Sequence, residues 1–250
     1  MAAEPNFDHF PGFKRTMETE IESHDGREGR LLEYIQARVA GEKLPVRAKK
    51  LLDLMDEFSF QEDFLISIGY QKAKLFADMI REKKVATYIE LGGYLGYSAL
   101  LAADAIKEQA PNGHVWSVEA DPLCADIASK FVSMAGLESM ITIVVSTGAD
   151  AVSKMQAQGK FRGVDMLFLD HVEELYLPEF KLYLEKGVIG SGSFVVADNV
   201  VRPGAPEYRK YVRGLSGVQS KGIECLITPI NMNDEFEVTD IVDASKAIQV

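Results

Sequence analysis

Two apolar runs in this chain end in side chains that can do chemistry. LFLDHVEELYLP, residues 167–178, closes on Asp170 and His171, and Glu173 and Glu174 follow. SFVVADNVVRPG, residues 193–204, closes on Asp198 and Asn199. Asp170, Asp198 and Asn199 all offer oxygen, and oxygen donors from two neighbouring strand ends suit a hard divalent cation such as Mg²⁺, which keeps part of its water. Taken singly, each residue reads as well as a helix cap or a turn residue; together they favour the metal. His171 suits Mg²⁺ poorly. It is expected to pack on a bound cofactor, with a hydrogen-bonded core histidine as the plainer reading.

The nature of that cofactor follows from two other runs. ATYIELGGYLGYSAL, residues 86–100, sets Glu90, Gly92, Tyr94 and Ser98 around a strand-to-helix turn, with glycines where backbone must pass close to a ligand. The turn is not G-x-G-x-x-G, and no G-K-[ST] is present, so nothing demands a pyrophosphate. HVWSVEADP, residues 114–122, ends on Glu119, which can accept both hydroxyls of a ribose. A nucleoside without phosphates fits S-adenosylmethionine better than NAD or ATP.

These tips need a sheet to hold them. ATYIELG, HVWSVEA, ITIVVST, DMLFLD and SFVVADN are short apolar runs, each ending in polar or small residues, and helical spacing over 97–109, 122–135, 149–158 and 176–186 lies between them. Alternating strand and helix with continuous apolar strands implies βαβ units and a parallel sheet covered on both faces. GIECLITPI, NMND and FEVTDIVDASKAI read as an antiparallel hairpin closing one edge. Helical spacing after Asp25, after Pro45 and over 70–82 carries no strand signal and predicts a helical cap. The expected organisation is a loose tail over 1–25 and one α/β domain over 26–250, with the cap at 26–84 and the core at 85–250.

Composition agrees. Hydrophobic residues make up 47%, enough for a full core without staples, and Cys124 and Cys225 read as reduced structural thiols. A net charge of -11 with no basic stripe argues against nucleic acid, and the short basic stretch KLPVRAKK reads as a solvated face. The start MAAEPNFDHFPGFKRT lacks the apolar stretch of a signal peptide, and no window approaches the ~18 apolar residues of a membrane span. A cytoplasmic monomer or weak homodimer without membrane partners is expected.

ELGGYLGYSAL, SVEADP, LFLDH with LYLPE, VVADNVVRPGAPEYRKYVRG and EVTDIVDASKAI, in this order and spacing, resemble the catechol O-methyltransferase family from about Asp25 to the C-terminus. The resemblance implies a Rossmann-like fold with a seven-stranded, mostly parallel sheet. It implies methyl transfer from S-adenosylmethionine to a catechol or phenol, with Mg²⁺ on Asp170, Asp198 and Asn199. Glu119 and Ala120 would sit at the ribose, and Glu90, Gly92, Tyr94 and Ser98 at the methionine and sulfonium end. Ile66, Ile68 and His171 would cover the cofactor. Gly148 and Ala149 stand where the family carries polar residues facing the adenine amino group. Glu237 matches a carboxylate that hydrogen-bonds one catechol hydroxyl. Phe64, Val172, Pro203 and Phe236 would line the ring.

The chain departs from the pattern at Glu173, where the family places a lysine as the base for the phenolic proton. Three readings stay open: Glu173 is itself the base, it joins the metal shell or recognises a cationic substrate, or it is a solvated surface glutamate. Val172 and Phe64 both replace tryptophans in the ring wall. Two alternatives follow from these departures. One is methylation of a different phenol or vicinal diol; the other is a catalytically weak S-adenosylmethionine-binding protein.

Overall fold

Five short apolar runs pair in parallel: β1 (Thr87–Leu91), β2 (His114–Glu119), β3 (Ile141–Val145), β4 (Met166–Leu169) and β5 (Phe194–Ala197). β6 (Val218–Ile227) and β7 (Met232–Ile241) form an antiparallel hairpin, and β7 pairs antiparallel with β5. The computed structural model describes residues 10–157 and 163–248 and orders the sheet β3-β2-β1-β4-β5-β7-β6. The order reverses between β1 and β4, the kind of switch point at which ligands sit in open α/β sheets. This is the seven-stranded, mostly parallel α/β sheet that the sequence implies.

Nine helices of the described residues flank the sheet before a short final turn of helix. They are α1 (Pro11–Thr19), α2 (Arg27–Val39), α3 (Ala48–Gln61), α4 (Gly69–Glu82), α5 (Tyr97–Lys107), α6 (Pro122–Met134), α7 (Gly148–Ala157), α8 (Tyr176–Glu185) and α9 (Pro206–Gly214), followed by α10 (Ala244–Ala247). α6 shows why a helix starts where it does: Pro122 stands in its first turn, and the Asp121 carboxylate accepts from the backbone N–H of Leu123 and Cys124. Each sheet face has its own core. Phe76, Tyr88, Phe168 and Phe236 pack under α2–α6. Ile89, Leu167, Tyr176, Phe180 and Tyr208 pack under α7–α10.

The N-terminal stretch differs from its expected looseness. Residues 1–9 lie outside the described residues, and Pro11–Thr19 form α1, which packs on α3. Phe13 stands edge-on to Phe64 with ring centroids 5.1 Å apart. Arg27, fully buried, ties the stretch down: its guanidinium donates to Asp25 Oδ1 at 2.9 Å, to the Phe64 carbonyl at 2.6 Å and to the Ile21 carbonyl at 2.7 Å. The expected helix over 149–158 ends on Gln158, which also lies outside the described residues.

Candidate active site

The C-terminal ends of β1 to β5 open into one cavity of about 820 Å³. Its roof is the N-terminal stretch (Phe13, Glu22 and His24), the loop before α4, and the β6–β7 turn with Ile230.

At one end the walls are strand tips and backbone. After β1, Gly92 turns the chain at φ +96°, where a Cβ would lie 2.1 Å from the Asp170 carbonyl oxygen. Glycine alone lets the β1 and β4 tips come that close. Glu119 is held by backbone: Tyr94 N–H donates to Oε2 at 2.6 Å and Asp121 N–H to Oε1 at 2.8 Å. Each oxygen keeps acceptor capacity for a ribose hydroxyl. Gly92, Tyr94, Ser98, Glu119 and Ala120 line this end. Ile66 and Ile68 close it from the loop before α4, and Gly148 and His171 stand across from them.

Two expected cofactor contacts are not on this wall. Ala149 is exposed and does not line the cavity. Glu90 is fully buried behind it, accepting from Tyr88 OH at 2.5 Å and Ser117 Oγ at 2.6 Å, and burial pushes its carboxyl up to about 7. Its position in β1, two residues short of the turn, puts it inside the sheet rather than beyond it.

The other end is a cluster of charge. Asp170, Asp198 and Asn199 line it together, as the sequence reading expects. Lys72 and Asp234 join them, and the sequence reading missed both. Lys72 in α4 is 2% exposed, with Nζ at 2.5 Å from Asp198 Oδ1 and 2.8 Å from Asp234 Oδ2. The signal was present: Lys72 shares the stripe of Phe76 and Ile80, at steps of four along an otherwise apolar face. Asp234 in β7 also accepts from the backbone N–H of Val201 and Arg202, both at 3.2 Å, and so fixes the loop after Asn199.

The oxygens left over fit a hard cation. The Asn199 amide nitrogen donates to the Arg202 carbonyl at 3.0 Å, which leaves its oxygen as the free acceptor. Asp198 meets Lys72 and the Asn199 N–H through Oδ1, leaving Oδ2. Asp170 accepts no side-chain hydrogen bond among the described residues; burial drives its carboxyl well up, and repulsion from Asp198 adds to the shift. Two carboxylates and an amide oxygen, short of positive charge, match the donor set of Mg²⁺. Asp198, Cys225 and Asp234 also approach closely enough to share an ion, but Lys72 already bridges those two carboxylates.

Glu237 and Phe236 need correcting. Glu237 is fully buried on the opposite sheet face, where it accepts from Arg213 at 2.9 and 2.7 Å, from Arg209 at 3.3 Å and from Ser220 Oγ at 2.7 Å. Side chains alternate along a strand, and Glu237 pairs with Ala197, so it points toward α9 while Asp234, three residues away, points at Asp198. Phe236 lies beneath the cluster, packed against Phe76 and Phe168. Phe64, Val172 and Pro203 do line the cavity, Val172 being 55% exposed. Glu173 lines it too, its carboxyl raised by burial and by repulsion from Glu174.

Similarity to known proteins agrees with this geometry. The family model for O-methyltransferases matches residues 34–210. A probable O-methyltransferase of Mycobacterium tuberculosis is 35% identical over 214 residues, covering 84% of this chain and 88% of the relative. Catechol O-methyltransferase of Bos taurus is 32% identical over 191 residues, covering 76% of this chain and 67% of the relative. Among solved structures, the O-methyltransferase from Bacillus cereus in complex with SAH superposes with a TM-score of 0.66 at 16% identity, over 84% of this chain and 99% of that one. The O-methyltransferase TomG from Streptomyces achromogenes, in complex with SAM, gives 0.65 at 20% identity, over 88% of this chain and 99% of that one. At such identities these two establish the Rossmann-like fold alone. No helix of the described residues is long and apolar enough to cross a membrane.

Proposed function

We propose, because this chain belongs to the O-methyltransferase family and is an S-adenosylmethionine-dependent O-methyltransferase, that its acceptor is a catechol-like vicinal diol and that Mg²⁺ is required. The observation that carries this reading is the oxygen trio of Asp170, Asp198 and Asn199 at the far end of the same cavity as Glu119. A ligand held by its ribose at Glu119 extends along the Gly92 turn toward that trio.

The protein's own groups account for most of the work. Glu119 and the Gly92 turn fix the donor, while Phe64, Val172 and Pro203 give the flat ring an apolar wall. The stretch tied down by Arg27 covers part of the cavity, and the less water the site holds the stronger its charge interactions. Orientation of the two reactants supplies much of the rate. Bound to Asp170, Asp198 and Asn199, Mg²⁺ supplies charge stabilisation for the ionised diol. Glu173 accepts the phenolic proton; burial raises its affinity for protons above that of an ordinary carboxylate, which favours that role.

Methyl transfer from labelled S-adenosylmethionine to a simple catechol, with Mg²⁺ and then with EDTA, tests the reading. Turnover that vanishes with EDTA is the expected result. Turnover indifferent to EDTA removes the metal, and inactivity toward a panel of vicinal diols with cofactor binding intact removes the acceptor class. Glu173→Gln is expected to lower turnover about 10²-fold with cofactor affinity unchanged; an unchanged rate makes Glu173 a bystander.

A further inference from the structure

Three buried polar atoms converge on one patch of the cavity wall and hydrogen-bond to nothing among the described residues. They are Nδ1 and Nε2 of His171 and Oε2 of Glu179. His171 Nε2 lies 2.7 Å from Glu179 Oε2, but the two are not aligned for a hydrogen bond. Both residues line the cavity, and Glu179 is 4% exposed. A buried carboxylate oxygen that accepts no aligned hydrogen bond costs free energy unless something supplies a donor.

The neighbouring backbone is shaped around that carboxylate. A Cβ on Gly148 would sit 2.4 Å from Glu179 Oε2 and 2.6 Å from Oε1. The space a side chain at 148 would take is filled by the carboxylate of α8. Tyr183 OH donates to the Gly148 carbonyl at 2.9 Å and pins the two helices in this arrangement.

The patch lies beyond Glu119. Ser146 N–H donates to the Glu119 carbonyl at 3.0 Å, and Gly148, two residues on, packs against Glu179, so a nucleoside held at Glu119 turns its base toward this carboxylate. The exocyclic amine of adenine is a donor, and a carboxylate accepts and cannot donate. We propose that Glu179, in the space that Gly148 leaves open, is a specificity-determining residue that accepts a hydrogen bond from the 6-amino group of the cofactor's purine. His171 Nε2 stands beside it, 2.7 Å from Oε2. This inference rests on the S-adenosylmethionine reading and adds a residue to it.

Calorimetry on the intact chain with S-adenosylhomocysteine and S-inosylhomocysteine separates the possibilities, because the second carries a 6-oxo group that can only accept. The expected result is at least about 10-fold weaker binding of the inosyl compound, two acceptors then facing each other in a buried site. Glu179→Gln is nearly isosteric and its amide can donate to the oxo group, so it is expected to narrow that ratio to about threefold or to reverse it. Melting curves check that the variant is folded. Equal wild-type affinities overturn the proposal, as does a Glu179→Gln variant that loses affinity for both compounds by the same factor, which marks a structural carboxylate. Failure of the wild type to bind either compound removes the cofactor reading itself and the proposal with it. Binding of the inosyl compound only, with methyl transfer to a catechol intact, overturns the proposal alone.

Discussion

The two ends of the cavity are built by different means. The cofactor end is made of strand tips: the Gly92 turn, and a Glu119 carboxylate held by two backbone N–H groups. The acceptor end is made of side chains from distant elements, with Lys72 of α4 between Asp198 and Asp234. The first end depends on backbone shape and the second on charge balance. Substitutions at the charged end should therefore alter chemistry and stability while leaving cofactor affinity alone. The largest expected effect is at Asp170, whose carboxylate has no hydrogen-bond donor among the described residues to lose. Asp170→Asn should lower methyl transfer about 10³-fold, near 4 kcal/mol of barrier, with S-adenosylhomocysteine affinity within about threefold. Initial rates beside calorimetry decide it, and a parallel loss of affinity breaks the division between the two ends.

Lys72 tests the charge balance itself. Its Nζ bridges two buried carboxylates, and removing one partner of such a set leaves uncompensated charge. Lys72→Met should cost about 4 kcal/mol in denaturant unfolding, and adding Asp234→Asn should restore part of it. A loss under about 1 kcal/mol would mean that the acidic cluster does not need the lysine. Burial pushes the Asp198 carboxyl up while Lys72 pulls it down, and the deletion should make that opposition visible as a steeper fall in stability as pH rises past the ordinary carboxylate range.

The same division explains what the sequence disclosed. Strand tips are local: Gly92, Glu119, Asp170, Asp198 and Asn199 each follow an apolar run, so periodicity located them and the parallel sheet brought them together. The hairpin closing the sheet was legible too, as two apolar runs with a polar turn. What was not legible depended on register and on packing between distant elements. Glu237 and Asp234 both stand in β7, and only the pairing of Glu237 with Ala197 decides which faces the cavity. A shift of one position would exchange the faces. Lys72 sits among apolar residues of a helix that the sequence assigns to the cap, and its role appears only when α4 lies over the strand ends. The roof was hidden for a similar reason. α1 has few apolar residues, and its order comes from Phe13 on Phe64 and from Arg27, which acts at a distance in the chain.

Glu237 sharpens the comparison from the opposite face. Two arginines and Ser220 satisfy its carboxylate, so it is a structural group. Glu237→Ala should cost about 3 kcal/mol in unfolding, because Arg209 and Arg213 lose their buried partner and keep only Glu235. The KM for the acceptor, measured at a temperature where the variant is folded, should not move. A rise in that KM of about 10-fold with stability unchanged would return Glu237 to the acceptor site.

Glu90 is the exception within the cofactor end and gives the smallest effect. Here a charged group does lie in the backbone-built half, buried behind the Gly92 turn. Burial raises its carboxyl from about 4.5 to about 7, against the pull of hydrogen bonds from Ser117 and Tyr88. A carboxyl that holds its proton more tightly when folded makes the native state bind more protons than the unfolded one. Stability then falls as pH rises from about 4.5 to about 7, and the penalty is complete above that range. Glu90→Gln removes the titration and keeps the shape. The variant should show a flatter stability profile across that window and gain about 2 kcal/mol relative to the wild type at pH 8. Parallel profiles for the two proteins would mean that Glu90 stays ionised when folded. The cofactor end would then hold a second buried charge besides Glu179, and the contrast between the two ends would narrow to the presence of a lysine.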